Sequence, residues 1–372
     1  MLPKEIHSAE DARRIAKRRL PRMIFDYIDG AAGTEAGAIR NRRALDAVTL
    51  TPRILRDVSK RSLSTKVFGV EAGVPFGIAP MGMCDLSAPG ADLMLARLAA
   101  NYKVPVGVST VASTPMEEMI EAAEGHAWFQ LYFSGDGEGT FRLVDRAKAA
   151  AYQTLVLTVD VPEIGRRPRE LRHGFKMPFR IGPRQFLDFA LHPSWSLRTL
   201  KAGRPDMANF RKDGFDFDRT ESRAKATWDT LSELRERWHG KLVVKGVLDV
   251  EDAVWLKERG VDAVQVSNHG ARQFDGAPSP IEVVPNFRSN LGGDYPIFLD
   301  SGIRSGSDIL RAIVSGADFV FVGRILQFAI AANGEEGLFQ LWKVLEEELS
   351  IALAMLGLCG FGRNGTVRRN RS

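Results

Sequence analysis

The sequence predicts an α/β fold, a (β/α)8 barrel, on three observations. Eight short apolar runs recur from residue 74 onward, each ending in a polar or glycine-rich turn. They are almost continuously Val, Ile, Leu and Phe, the composition of strands buried on both faces in a parallel sheet. Between them lie stretches with apolar residues at three- and four-residue spacing, the period of a helix packed on one side. Eight evenly patterned units favour closure over an open doubly wound sheet.

The first four strands read "VPFGIAPMGM" (74–83), "VPVGVST" (104–110), "AWFQLY" (127–132) and "TLVLTVD" (154–160). The second four read "KLVVKGV" (241–247), "DAVQVSNH" (262–269), "PIFLDSG" (296–302) and "DFVFVGR" (318–324). Helices are expected at "GADLMLARLAANYK", "TPMEEMIEAA", "GTFRLVDRAKAAAY", "DVEDAVWLKERG" and "SGSDILRAIVSG". Two of them open on a capping residue followed by acid, in "STPMEE" and "LDVEDA". Residues 1–73 read as a helical prefix, 74–330 as the barrel, and 331–372 as a closing helix, "LFQLWKVLEEELSIALAMLGL", with a tail. An insertion over 161–226, rich in Arg, Pro, Phe and Trp, follows the fourth strand, on the side where barrels carry lids and binding segments. The 372 residues are thus expected to form a single domain, an α/β TIM barrel with an N-terminal extension.

Composition narrows the function classes. An apolar fraction of 44% supplies a full-sized core, and two cysteines, Cys84 and Cys359, suit neither a disulfide framework nor a zinc site. No metal is expected. The net charge of +5 and pI near 9.2 come from Lys and Arg spread along the chain, with denser clusters at "ARRIAKRRLPR" and "RRNRS". No helix-turn-helix, zinc or RNA-binding signature accompanies them, so a solvated basic face or an anionic small molecule is expected rather than nucleic acid. The N-terminus lacks the apolar core of a secretory signal, and no run of ~18 apolar residues exists to span a bilayer. A cytoplasmic protein is expected, with peripheral contact at the inner face of the cell membrane left open.

In such barrels chemistry sits at the C-terminal ends of the strands. Those ends carry Ala79, Pro80, Met81 and Gly82, then Ser109, Gln130 and Tyr132, then Thr158 and Asp160. The second half carries Lys245, His269 with Arg272, Asp300, Gly302 and Arg304, and Gly323 with Arg324. A lone histidine there often serves as a structural hydrogen-bonder, but Arg272 beside His269 and Asp160 two strands away favour a base. Lys245 ends a buried strand, which is costly unless a charge meets it. Asp300 and Arg304 are compatible with a plain ion pair. Two Gly/Arg turns on strands seven and eight stand where barrels bind phosphate.

These motifs carry a family resemblance. "LPRMIFDYIDGAAG", "FQLYF", "LTVDVPEIGRR", "VVKGV", "SNHGARQFDG", "DSGIRSGSDILRAIVSGAD" and "FVGR" resemble the FMN-dependent 2-hydroxy-acid dehydrogenases and oxidases, over nearly the whole chain to about residue 358. L-lactate dehydrogenase, mandelate dehydrogenase and glycolate oxidase belong to that family. The resemblance implies that His269 is the base, that Asp160 stabilises its protonated form, and that Tyr132 hydrogen-bonds the substrate's 2-oxygen. It implies that Arg272 holds the substrate carboxylate, with Tyr27 and Arg167 as further ligands. It assigns FMN to the backbone at Ala79, Pro80 and Met81, to Ser109, Gln130, Thr158 and Lys245, and to Asp300, Gly302, Arg304, Gly323 and Arg324. No G-x-G-x-x-G follows a strand, so nicotinamide in a Rossmann crevice is not expected.

The expected activity is oxidation of a lactate-like L-2-hydroxy acid to the 2-oxo acid, with electrons passed to a quinone or cytochrome. "DSG" and "HPSW…GRPDMANF" resemble the dehydrogenases, and Val111 stands where glycolate oxidase carries a bulky aromatic, which implies a roomier pocket. An O2-reducing, H2O2-forming oxidase and a mandelate-type dehydrogenase are the alternatives. An FMN barrel that isomerises a prenyl diphosphate has little use for His269 and Arg272 together. A non-catalytic flavin-binding protein has no need of every catalytic position. A homo-oligomer, a tetramer, is expected, although the chain's end departs from the family's usual tail. The segment from about 177 to 210 places Phe175, Phe179, Phe186, Phe189, Trp195 and Leu197 among Lys176, Arg180, Arg184, Arg198, Lys201 and Arg204. That pattern suits an anionic membrane surface about as well as a plain lid, and the resemblance to the respiratory-chain dehydrogenases tips it slightly towards the membrane.

Overall fold

The computed structural model describes residues 5–133, 137–175, 181–203, 206–211, 223–362 and 367–368. Its centre is a closed barrel of β1 (Phe76–Met81), β2 (Val106–Ser109), β3 (Ala127–Tyr132), β4 (Thr154–Thr158), β5 (Lys241–Val247), β6 (Ala263–Val266), β7 (Ile297–Leu299) and β8 (Phe319–Val322). Every neighbouring pair is parallel, and β8 closes on β1. The (β/α)8 expectation holds. Most predicted runs overshoot the strands at their C-terminal ends, because the polar residues there leave the ladder to face the barrel mouth. The register shifts between Ile78 and Met81 and between Lys245 and Val247, so both strands are bent where a site residue must be aimed.

Aromatic side chains fill the barrel interior below the mouth. Trp128, Phe298 and Phe321 meet at ring-centre distances of 5.4–5.9 Å. Phe68 packs on Trp128 and Phe298 at 5.5 Å from the turn of a hairpin, Thr65–Val67 with Val70–Ala72. The 1–73 prefix is therefore not wholly helical: three helices, Ala9–Arg19, Arg22–Asp29 and Ala36–Ala47, precede a hairpin that plugs the barrel floor.

Local capping followed the sequence in part. Asp249 caps its helix through Glu251 N at 2.7 Å, as "LDVEDA" suggests. Thr114 in "STPMEE" does not: the N-cap is Pro115 without a side-chain bond, and Thr114 N instead donates to Asp92 at 3.0 Å. A helix over Pro280–Leu291 went unpredicted, because Pro285 inside it reads as a breaker although Glu282 reaches back to accept from Ser279 N at 2.9 Å. The closing helix begins at Arg324, directly after β8, with a break at Asn333 and Gly334.

The excursion after β4 contains helices Pro168–Arg172, Pro183–Ala190, Pro193–Ala202 and Ala208–Arg211. It is pinned to the barrel mouth: Trp195 Nε1 donates to Leu86 O at 2.9 Å, and buried Asn209 accepts from Met116 N at 2.9 Å. Three aromatic residues that the interleaved pattern placed with the basic ones turn inward instead. Phe175 stacks on Tyr27 at 4.5 Å, and Phe189 packs on Trp195, which is 4% exposed. Phe186 (68% exposed) and Leu197 (66%) do face out, joined by Leu187, Leu191 and Leu200. Lys176, Phe179, Arg180 and Arg204 lie outside the described residues.

Candidate active site

β6 ends at Val266, and the turn after it is tightly held. Ser267 Oγ accepts from His269 N at 3.0 Å and from Lys245 Nζ at 3.0 Å, and donates to Asp300 at 2.7 Å. Asn268 and Asn41, both buried, exchange reciprocal amide hydrogen bonds of 2.9 and 2.7 Å. The prefix helix thereby braces the turn, a contact that neither residue type advertises in sequence. His269, Gly270 and Ala271 all have left-handed φ, at 57°, 64° and 61°. Two non-glycine residues in that region cost energy that the surrounding bonds must offset.

The strained turn aims His269 at Asp160. Nδ1 lies 2.9 Å from Asp160 Oδ1, so with Nδ1–H donating, Nε2 carries the lone pair. Close approach of the carboxylate depends on Gly246: at φ 101°, a Cβ there would stand 2.5 Å from Asp160 Cβ. Burial pushes the His269 pKa down, Asp160 opposes this, and Lys245 adds to the lowering; the outcome is below the ordinary 6.5. Burial works to raise Asp160, but the charges of His269 and Lys245 outweigh it and hold the carboxyl below 3.8.

Lys245 is 4% exposed and meets a charge, as its placement demanded: Nζ stands 3.6 Å from Asp300 Oδ2. Burial works against its charge, yet Asp300 and Asp160 raise its pKa above the usual value. Asp300 is therefore the partner of Lys245, with Gln265 and Ser301 as hydrogen-bond donors, and forms no ion pair with Arg304.

Arg272 Nη1 donates to Tyr27 O and Gly30 O at 2.8 and 2.7 Å, and Nη2 to Glu170 at 3.0 Å. Arg167 shares that carboxylate at 3.2 Å and donates to Arg272 O at 3.0 Å. Burial and then Arg167 make the Arg272 charge costly, taking its pKa down to about 9, with Glu170 pulling the other way. Glu170 was missed from sequence. Its only signal was the i,i+3 spacing from Arg167 in "RPRE". Tyr27 lies under Arg272, with the guanidinium 5.3 Å from the ring centre, and its hydroxyl approaches Gly82 O at 3.5 Å. The Tyr132 hydroxyl is raised above 10 chiefly by burial, so it stays protonated.

At the other end stand Arg304 and Arg324. Burial, then the charges of Arg42 and Arg304 respectively, bring each down to about 10. Among the described residues neither reaches a carboxylate within salt-bridge distance; Arg324 donates only to Gly270 O and Gly30 O, at 3.1 and 3.5 Å. Two such half-buried guanidinium groups lining one cavity mark an anion site. A single cavity is lined by both ends, from Arg304 and Arg324 past Met81 and Lys245 to His269 and Arg272. Ala79, Pro80, Gly302 and Gly323 line it too. Ser109, Gln130 and Thr158 do not; they form a buried chain beside it, Ser109 Oγ to Gln130 Oε1 and Gln130 Nε2 to Thr158 Oγ1, both at 3.0 Å.

Known proteins share this architecture. The family model described as FMN-dependent dehydrogenase matches residues 16–363. The chain is 37% identical to an L-lactate dehydrogenase of Pseudomonas aeruginosa, over 96% of each chain. It is 36% identical to an (S)-mandelate dehydrogenase of Pseudomonas putida, over 96% of this chain and 92% of that one. A crystal structure of a monotopic membrane protein (S)-mandelate dehydrogenase superposes with a TM-score of 0.91, at 36% identity over 95% and 96% of the two chains. A mandelate oxidase superposes with a TM-score of 0.84 at 36% identity, over 98% of each. With a family model matched across the barrel and relatives this similar end to end, the chain belongs to the FMN-dependent dehydrogenases.

Proposed function

We propose that the protein uses FMN to oxidise an L-2-hydroxy acid to the 2-oxo acid. The observation that carries this reading is that His269, hydrogen-bonded to Asp160, lines the same cavity as Arg272 and Arg167. The donor set fits FMN: Arg304 and Arg324, half-buried and without a carboxylate in salt-bridge reach among the described residues, would hold the phosphate, and Asp300 and Gly302 the ribityl chain. Lys245, Gly323 and the backbone of Ala79, Pro80 and Met81 would hold the ring system, with Ser109, Gln130 and Thr158 behind it. Bound there, FMN supplies the acceptor for the electron pair that leaves the substrate.

The chain's own residues do the rest. Arg272 grips the substrate carboxylate with parallel N–H donors, helped by Arg167 and the Tyr27 hydroxyl, which fixes C2 in place. His269 Nε2 takes a proton released in the oxidation, and Asp160 offsets the cost of the imidazolium that forms. Tyr132 donates to the 2-oxygen. Anaerobic mixing with L-lactate or (S)-mandelate is expected to bleach the bound flavin. Turnover with dichlorophenolindophenol faster than with O2 is expected for a dehydrogenase. A flavin that neither acid reduces would overturn the reading, and faster turnover with O2 would make the enzyme an oxidase.

We further propose that the helix pair Pro183–Ala190 and Pro193–Ala202 rests on an anionic membrane surface. Phe186, Leu187, Leu191, Leu197 and Leu200 are 60–80% exposed there, flanked by exposed Arg184, Arg198 and Lys201. No described helix is long and apolar enough to cross a membrane. Apolar side chains in the acyl boundary with cations at the headgroups describe peripheral binding instead, close to a quinone acceptor. Co-sedimentation with anionic vesicles should weaken with salt and with Phe186→Ser/Leu200→Ser. Failure to bind such vesicles at low salt leaves the pair as a lid.

A further inference from the structure

Lys245 reaches the cavity from a bend in β5, where the register shifts between Lys245 and Val247. An ammonium has three N–H donors. Among the described residues its one hydrogen-bond acceptor is Ser267 Oγ, at 3.0 Å. The counter-charge, Asp300 Oδ2, stands at 3.6 Å, beyond a direct hydrogen bond. Two donors and a charge that is only partly compensated are therefore left to the cavity.

Neighbouring hydrogen bonds set that spacing. Ser267 uses its whole hydroxyl: it accepts from Lys245 Nζ and His269 N, both at 3.0 Å, and donates to Asp300 Oδ1 at 2.7 Å. Asp300 Oδ1 takes a second bond from Ser301 Oγ at 2.7 Å, and Oδ2 takes one from Gln265 Nε2 at 2.5 Å. Three neutral donors thus occupy the carboxylate, and the ammonium stays outside them. Ser267, Gln265, Asp300 and Lys245 are all buried, where a missing partner is costly. Without the Ser267 hydroxyl, Lys245 loses its acceptor and Asp300 loses a donor. Both deficits are met when the ammonium closes on the carboxylate. At the shorter distance each charge cancels more of the other's field.

We infer that Ser267 is a positioning residue for electron transfer, which holds the Lys245 ammonium off Asp300 and turned toward the FMN ring system. The inference rests on the proposed FMN site and adds what sets that site's preference for reduced flavin. Negative charge arrives on the ring system with the electron pair, and an ammonium facing it stabilises the reduced form. Gln265 serves the same end from the other oxygen of Asp300. Among the described residues its side chain hydrogen-bonds Asp300 and not the turn that carries His269.

The test is a redox titration of the FMN-loaded protein, held anaerobically with dyes of known potential and read from the flavin absorbance. Ser267→Ala is expected to lower the reduced-to-oxidised ratio at a fixed solution potential about tenfold, the size of one charge-assisted hydrogen bond. Gln265→Leu should lower it in the same direction, and Ser267→Thr, which keeps the hydroxyl, should restore it. In a Lys245→Met background Ser267→Ala should change the ratio no further, because the ammonium through which it acts is gone. An unchanged ratio in Ser267→Ala with FMN bound would overturn the inference and leave Ser267 as a support for the His269 turn. So would an equal fall in the Lys245→Met background. If Ser267→Ala loses its FMN, Gln265→Leu decides, and an unchanged ratio there overturns the inference. An unaltered protein that takes up no FMN would overturn the cofactor reading itself.

Discussion

His269→Gln is expected to slow reduction of the bound flavin by substrate about 10²- to 10⁴-fold while FMN stays bound. Glutamine can still hydrogen-bond Asp160, but it offers no lone pair of suitable basicity at the position of Nε2. The residues that would hold the phosphate, Arg304 and Arg324, are untouched, so the flavin absorbance of the purified variant should match that of the unaltered protein. Near-normal reduction would remove His269 from the role of base. The pH dependence carries the sign. Only neutral His269 accepts a proton, so kcat/KM should rise with pH through its pKa, which burial places below 6.5. Asp160 opposes that lowering. Asp160→Asn should therefore move the acid limb to still lower pH while the maximal rate falls, because the imidazolium loses its counter-charge. An acid limb moved upward would refute the assignment.

Arg272→Met is expected to lower kcat/KM by about 30- to 700-fold, corresponding to about 2–4 kcal/mol for losing one partner of a desolvated charge pair. Most of the loss should appear in KM, with a smaller part in kcat from poorer orientation of C2. Glu170→Gln separates holding from positioning. Without the shared carboxylate, Arg272 and Arg167 repel each other and attract a substrate anion more strongly. The expected result is a fall in kcat without a rise in KM. A large rise in KM with kcat intact would show that Glu170 supports binding rather than alignment.

Much of the site was legible because barrel strands end in polar residues at a fixed place in the repeat. His269, Arg272, Lys245, Asp300, Arg304 and Arg324 stand out against apolar runs, and the fold brings each to the C-terminal rim. Glu170, Asn41 and Arg223 were not legible. They come from the insertion and the prefix, where no strand period fixes direction, and their partners lie far along the chain. Glu170 is 102 residues from Arg272 and Asn41 is 227 from Asn268.

The outward-facing surface shows the same division. The pattern of aromatic and basic residues left 177–210 open between a membrane surface and a plain lid, because period alone could not tell a buried ring from an exposed one. Trp195 found a carbonyl at Leu86 and turned in, while Leu187, Leu191 and Leu200 turned out.

By itself the sequence determined the eight-unit barrel, its active end and the residue types that bear charge there, because strand burial and strand termini are local and periodic. The tertiary structure alone decided which charges pair: Lys245 with Asp300, Arg272 and Arg167 with Glu170, His269 with Asp160. It also decided that Arg304 and Arg324 reach no carboxylate among the described residues, and that Arg223 faces the cavity beside Tyr132. Pairing depends on distances of a few ångströms between segments a hundred residues apart, and the strength of each charge on how much water the fold excludes around it. Neither quantity has a local signature.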